Sequence, residues 1–285
     1  MPSAMPVNNI NSITRTLIIR PTHGWISLNL RDLWTYRELL YFLTWRDVKV
    51  RYKQTVLGVA WAVIQPLMTM VVFTIFFGRL AKIPSDGLPY PIFSFCALLP
   101  WTLFSRALSE SSNSLVANSN LISKVYFPRL VIPIAAILAG LIDFAIAFVI
   151  LFGMMAFYGI FPSMAILFLP AFVLFAIVTA LAVSLWLSAL NVEYRDVRYT
   201  IPFLTQIWMF ASPIAYSSSL VPEQWRFIYG LNPLAGVIEG FRWALLGKVH
   251  PNWGLLTASA VIVLLLLMTG LIYFKRMERN FADVI

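Results

Sequence analysis

The sequence predicts an all-α polytopic membrane protein with six transmembrane helices, an N-terminal amphipathic interface helix and re-entrant extracytoplasmic helices before the last span. Hydrophobic residues make up 60% of the 285 and charged residues only 12%, about half the charged share of a soluble domain. Six stretches meet the requirement of roughly 20 apolar residues per bilayer crossing. Lys and Arg fall unevenly on the two sides of these stretches: fifteen on the side of the N-terminus, five on the other. By the positive-inside rule both termini are expected in the cytoplasm. The net charge of +9 then follows from topology, and basic residues split among short loops do not suit nucleic acid.

Residues 1–20 are rich in Asn, Ser and Pro and are expected to be disordered; they lack the apolar core and cleavage site of a signal peptide. Residues 21–55 hold a basic segment, and 56–285 the transmembrane domain. Within the former, Leu33, Tyr36, Leu40, Leu43, Asp47 and Val50 recur near a period of 3.6, predicting a helix over Leu33–Lys53. Trp34, Tyr41 and Trp45 suit the headgroup level. Two readings stand for this helix, a surface anchor and a contact for a cytoplasmic partner.

The spans are Val56–Gly78, Tyr90–Leu108, Val131–Tyr158, Met164–Leu190, Tyr199–Tyr216 and Trp253–Phe274. Leu231–Leu246 is interrupted by Asn232-Pro233, Glu239 and Arg242 and is expected to be re-entrant or interfacial, with two half-helices around Asn232-Pro233 in a region of about 217–251. Between the second and third spans, Ser119 or Asn120 can N-cap a short helix that Pro128 ends. Leu121, Ile122, Val125, Tyr126 and Phe127 would form its exposed apolar face, bordered by Lys124 and Arg129. A loop that only connects would be polar, so a protein partner is the better reading. The loop Tyr194-Arg195-Asp196 is either a solvated turn or a second contact.

Polar residues inside the spans are few. Counted from the cytoplasmic loop at Ser119 and from Val131, Arg106 lies about 13 and Asp143 about 12 residues deep, so they share a depth. An ionisable group in hydrocarbon needs a partner or water, and the expectation is a pair or polar network joining spans two and three. A proton relay would need further acids or histidines to continue it. Spans one and five mix aromatic with hydroxyl and amide side chains: Trp61, Gln65, Thr69 and Phe73 in one, Thr205, Trp208, Ser212 and Tyr216 in the other. Such faces suit a sugar chain, stacking its C–H faces and bonding its hydroxyls; ordinary helix packing explains them equally.

Several chemistries find no support. The only Gly-Lys pair, Gly247-Lys248, follows Gly240 at the wrong separation and precedes Val249, so no phosphate-cradling loop is present. His23 and His250 lie far apart, and the single Cys96 excludes an internal disulfide and a cysteine-based metal cage.

A series of stretches resembles the ABC-2 type permease subunits of O-antigen and related polysaccharide exporters (lipopolysaccharide, teichoic acid, capsule). They are Trp34–Leu40, Arg46–Thr55, Leu57–Trp61 through Gln65-Pro66, Leu99-Pro100-Trp101, Asn118–Arg129, Asp143-Phe144, Tyr194–Val197, Asn232-Pro233 and Met277–Ile285. The resemblance implies a transport subunit rather than an enzyme, working as a homodimer with two copies of a separate ATPase that binds ATP and Mg. The cargo implied is a polyprenyl-diphosphate-linked polysaccharide crossing the bacterial inner membrane. Leu121, Lys124, Tyr126, Phe127 and Arg129, with Tyr194, Arg195 and Asp196, would contact the ATPase. Spans one and five would line the channel, and Arg46, Lys49, Arg51 and Lys53 would meet the lipid diphosphate or ordinary headgroups. Arg106 and Glu193 depart from the family pattern.

Overall fold

The structure, a computed structural model, describes residues 30–53, 59–247 and 252–281. The expectations for residues 1–20, His23, the start of the first span at Val56, His250 and the last four residues lie outside the described residues. Among the described residues every regular element is helical.

The chain enters through α1 (Leu30–Thr35) and α2 (Arg37–Lys53). It then forms α3 (Val59–Phe73), which continues as a π-helix over Thr74–Leu80, and α4 (Tyr90–Ala117). The short α5 (Ser119–Lys124) leads to α6 (Val131–Phe157), and a 3-10 turn over Met164–Phe168 leads into α7 (Leu169–Glu193). The last part holds α8 (Val197–Ala211), α9 (Glu223–Gly230), α10 (Pro233–Leu246) and α11 (Trp253–Met277). Five segments are long and apolar enough to cross a bilayer: Ala60–Leu80, Tyr90–Ala117, Val131–Phe157, Met164–Glu193 and Trp253–Met277. In place of the expected span Tyr199–Tyr216 stands the 15-residue α8, which begins at Val197 and ends at Ala211, about 22 Å long. Beyond it Ser212 is extended, because Pro213 disfavours helix for the residue before it.

The arrangement is centred on α4. Of its apolar window 78% is buried, against 17% for Ala60–Leu80 and 22% for Met164–Glu193. It is surrounded by α3, α6, α7, α8 and α10. The α7 residues Ala176, Thr179, Ala180, Ser184 and Ser188 are buried, and such small side chains let helix backbones approach in lipid. Asn191 of α7 donates to the Ser112 carbonyl of α4 at 2.9 Å, a polar tie at the end of that contact.

The segment expected to be re-entrant forms two helices meeting at Asn232-Pro233. The second, α10, is buried among α4, α7 and α11. Pro233 occupies its first turn, the Asn232 side chain accepts from the Leu234 N–H at 3.1 Å, and Gly247 closes it with φ +64°. Glu239 and Arg242, read from sequence as interruptions, lie inside this helix and find partners within the protein, although the Arg242 Nε is buried without one. Glu239 accepts from the Ser218 hydroxyl at 2.7 Å. Arg242 donates to the Ile214 carbonyl at 3.1 Å and lies 3.6 Å from the centre of the Phe93 ring.

Gly236 and Gly240, four apart on α10, let the neighbouring helices close in. The Gly236 N–H donates to Ser259 Oγ of α11 at 3.2 Å, and a methyl group at Gly240 would stand 2.1 Å from Phe172 of α7. Gly240→Ala therefore forces the Phe172 ring out of its place, and overpacking of this kind costs about 1–3 kcal/mol. The expected outcome is a lower unfolding midpoint in detergent, recovered in part by combining the change with Phe172→Leu.

Candidate functional site

Four charges from three helices meet at one end of the bundle. Arg51, near the C-terminal end of α2, donates to Asp143 of α6 and to Glu110 of α4. The adjacent Tyr52 hydroxyl donates to the other Asp143 oxygen. Arg106, one helical turn before Glu110 on α4, donates to Asp143 at 2.6 Å and to Gln65 of α3 at 3.1 Å. Asp143 thus serves as acceptor for three side chains, and the two guanidinium groups balance the two carboxylates. The Asp143 side chain is 7% exposed and that of Glu110 39%. A narrow cleft lined by Ala62, Pro66, Leu103, Gly140 and Phe144 opens beside Arg106 and Asp143.

The electrostatics favour a closed ion-pair cluster. Burial works against the Arg51 charge, but Glu110 and Asp143 more than offset it and hold its pKa above the ordinary value. Burial and the hydrogen bond to Asp143 push the Tyr52 hydroxyl up to about 12, so it remains a donor at physiological pH.

With 28 and 27 residues, α4 and α6 are about 42 and 40 Å long, well beyond a hydrocarbon core of about 30 Å. The first span, with 21 residues, is about 31 Å and matches that core. Gln65, bonded to Arg106, lies five residues from the Ala60 end of that span, about 8 Å along it. Asp143 is the thirteenth of the 27 residues of α6, and the cations and hydroxyl that reach it lower the penalty for a charge among apolar helices.

Beside the cluster lies a second apolar core at the same end of the bundle. Leu43 of α2, Leu115 of α4, Ile122 of α5, Phe127, Phe274 and Phe281 are all buried in it. This corrects the expectation of a single exposed apolar face on the short loop helix. Ile122 and Phe127 turn inward, while Tyr126 is 71% and Val125 52% exposed, beside exposed Lys124 and half-buried Leu121. The helix is capped at Asn118, not Ser119 or Asn120, and ends at Lys124, before Pro128. Arg129 is also turned inward: its N–H donates to the Glu278 carboxylate at 3.1 Å and its guanidinium to the Glu278 carbonyl. Tyr194, Arg195 and Asp196 are exposed. The helix is interrupted at Tyr36, yet Leu33, Tyr36, Leu40 and Leu43 pack on this one core as their spacing predicts; Val50 leaves the pattern at 64% exposed, and Val48 is buried instead.

The four cations assigned to headgroups divide similarly. Arg46 pairs with Asp47 at 2.8 Å, Lys49 lies over Trp45 at 5.6 Å, and Lys53 is exposed. Arg51 is drawn into the cluster instead. Of the residues expected to line a channel, Trp61 is 54% exposed and Gln65 exposed, with Thr69 and Thr205 intermediate. Phe73 and Ser212 are buried inside the protomer. The Trp208 indole donates to Asn232 at 2.9 Å, and the Tyr216 hydroxyl accepts from Tyr229 at 3.0 Å. Sequence reasoning missed the parts of Tyr52 and Asn232. Two acids, Glu110 and Asp143, facing one arginine in spans two and three were the available signal that another cation must arrive from outside them.

Among the described residues no group of acids, histidines and cysteine is arranged to hold a metal ion. The fold and site together define a multi-pass membrane protein whose leading helix is ion-paired to its spans. Residues 38–246 match the ABC-2 type transporter family, and the chain belongs to it. It is 28% identical to the O-antigen export system permease protein RfbA of Myxococcus xanthus over 259 residues, covering 90% of this chain and 98% of that protein. The protein of the same name from Klebsiella pneumoniae is 27% identical, over 87% of this chain and 95% of its own. The polysialic acid transport protein KpsM of Escherichia coli is 22% identical, over 82% and 91%.

Removing Arg106 leaves Asp143 with Arg51 and Tyr52, whereas removing Asp143 leaves two facing guanidinium groups. Breaking a buried ion pair costs about 3–5 kcal/mol, and the remaining donors reduce that cost for Arg106→Leu. Asp143→Leu is expected to lower the detergent unfolding midpoint more than Arg106→Leu does. The reverse order would mean that Asp143 is not the centre of the cluster.

Proposed function

We propose that this chain is the membrane-spanning permease subunit of an ATP-driven exporter that moves a polyprenyl-diphosphate-linked polysaccharide out of the cytoplasm. The observation that carries this reading is the end-to-end likeness to O-antigen export permeases, over 98% and 95% of their lengths. An O-antigen-like glycan is favoured over a capsule-type one by the higher identity to those proteins, 28% and 27% against 22%. The exporter would be a dimer of this chain with two copies of a separate ATPase, which supplies ATP and Mg binding. It would lie in the bacterial inner membrane with both termini in the cytoplasm.

The packing of the two ends supports six crossings. Phe274 and Phe281 share a core with Leu43 of α2 and with Ile122 and Phe127, so the start and end of the membrane domain lie on one side. Five crossings would put them on opposite sides. The stretch between α7 and α11 therefore supplies the sixth, with α8 followed by the extended segment after Ala211.

In this reading Tyr126, Val125 and Lys124 offer the ATPase its contact, and Tyr194 a neighbouring one. Tyr126→Ala should leave assembly with the co-expressed ATPase intact. It should cut glycan-coupled ATP hydrolysis and surface polysaccharide at least about tenfold, a loss of some 1.4 kcal/mol of coupling. Phe127→Ala should instead lower the unfolding midpoint, since that ring fills a core. Cells lacking their own O-antigen permease and given this chain with its ATPase test the cargo. An assembled complex that restores no surface polysaccharide would overturn the reading.

A further inference from the structure

The ion-pair cluster holds more than charge balance in the spans requires. Arg106 alone reaches Asp143 at 2.6 Å, and a pair within spans two and three would already neutralise that carboxylate. Yet Asp143 also takes Arg51 and Tyr52, both from α2. Arg51 extends the connection to Glu110, so one side chain joins α2 to α4 and α6 together. A planar guanidinium with several fixed donors can bridge two carboxylates where a lysine ammonium offers a single point of charge. Arg106 and Glu110 lie four apart and therefore on one face of α4, which directs both toward the same partners.

The two parts of α2 are held by different means. Leu39, Leu40 and Leu43 pack on the apolar core shared with Phe274 and Phe281, while the far end is held by Arg51 and Tyr52. Non-directional apolar contacts allow a helix to slide or roll, whereas directed charge-assisted hydrogen bonds fix its position. The outer face of α2 exposes Tyr41, Phe42 and Trp45, so the helix has bundle contacts on one side and a free aromatic surface on the other.

We propose that Arg51 and Tyr52 are positioning residues: they form the rigid joint through which a displacement of α2 is passed to α4 and α6. This rests on the reading of the chain as an exporter permease, and the joint can be tested apart from that reading. Arg51→Gln leaves the remaining three charges at a net −1; Arg51→Gln/Glu110→Gln restores neutrality through the Arg106–Asp143 pair but leaves no arginine bridge from α2. Hydrogen exchange of the α2 amides in the purified chain, the unfolding midpoint and export in cells would be measured for both.

The double variant should regain the wild-type unfolding midpoint. Its amides near the end of α2 should still exchange about tenfold or more faster than wild type, and export should remain at least about tenfold down. Recovery of both protection and export in the double variant would mean that the cluster only balances charge. Fast exchange with normal export would show that the joint carries no motion, and recovered protection without export would show that Arg51 acts by another route. Each of these three results overturns the proposal. A wild-type chain that exports nothing would overturn the exporter reading, while wild-type exchange at the end of α2 in the double variant would overturn the joint by itself.

Discussion

A carboxylate among apolar helices costs free energy unless cations and donors reach it, and Asp143 draws them from two other helices. Arg106 comes from α4 and Arg51 with Tyr52 from α2. The arrangement of this end of the bundle depends on it. Without α2 against α6, Leu43 would lose its place beside Ile122, Phe127 and Phe274, and the short loop helix would lose a neighbour in its core. Two kinds of interaction thus cooperate at one end: an ion-pair cluster sets the position of α2, and an apolar core sets what lies beneath it.

The opposite end solves a related problem differently. A chain that enters the bundle and returns carries backbone and charged groups that lipid cannot satisfy. Here Asn232 takes up four of these obligations: it caps α10, accepts from Trp208, and donates to the Ala211 carbonyl and to Ser212. Arg242 takes the carbonyls left open where α8 ends, and Phe93 covers its face. The irregular turn that follows α8 can then leave the helical path because Ser212, Ile214, Ala215 and Ser217 are buried in protein.

The spans were legible in the sequence because bilayer crossing depends on length and apolar content, both local properties. Their ends were less so. Tyr90–Leu108 extends as helix to Ala117 because Ser111, Ser112 and Ser114 are buried within the bundle, which composition does not reveal. The pairing of Arg106 with Asp143 was accessible from depth along two helices. The entry of Arg51 was not, since it depends on the tertiary path of α2, and basic residues before a first span ordinarily report topology. The same limit explains Ile122 and Phe127: an apolar residue in a short loop looks exposed until the helix that covers it is known. The paired glycines of α10 were visible as a spacing, but their meaning came from Phe172 and Ser259.

The unequal helix lengths bear on how the protein meets membranes of different thickness. The first span matches the hydrocarbon core, whereas α4 and α6 exceed it by about 10 Å. Hydrophobic mismatch is relieved by tilt, bilayer distortion or side chains reaching for the interface. In this protein the long central helices have reserve length, so a thicker leaflet would cover more of them without stretching the bundle. The helix with no reserve is the one whose Gln65 is bonded to the charged cluster. Adjustment to lipid thickness is thereby concentrated at a single thin-walled side of the molecule, leaving its centre in fixed registry.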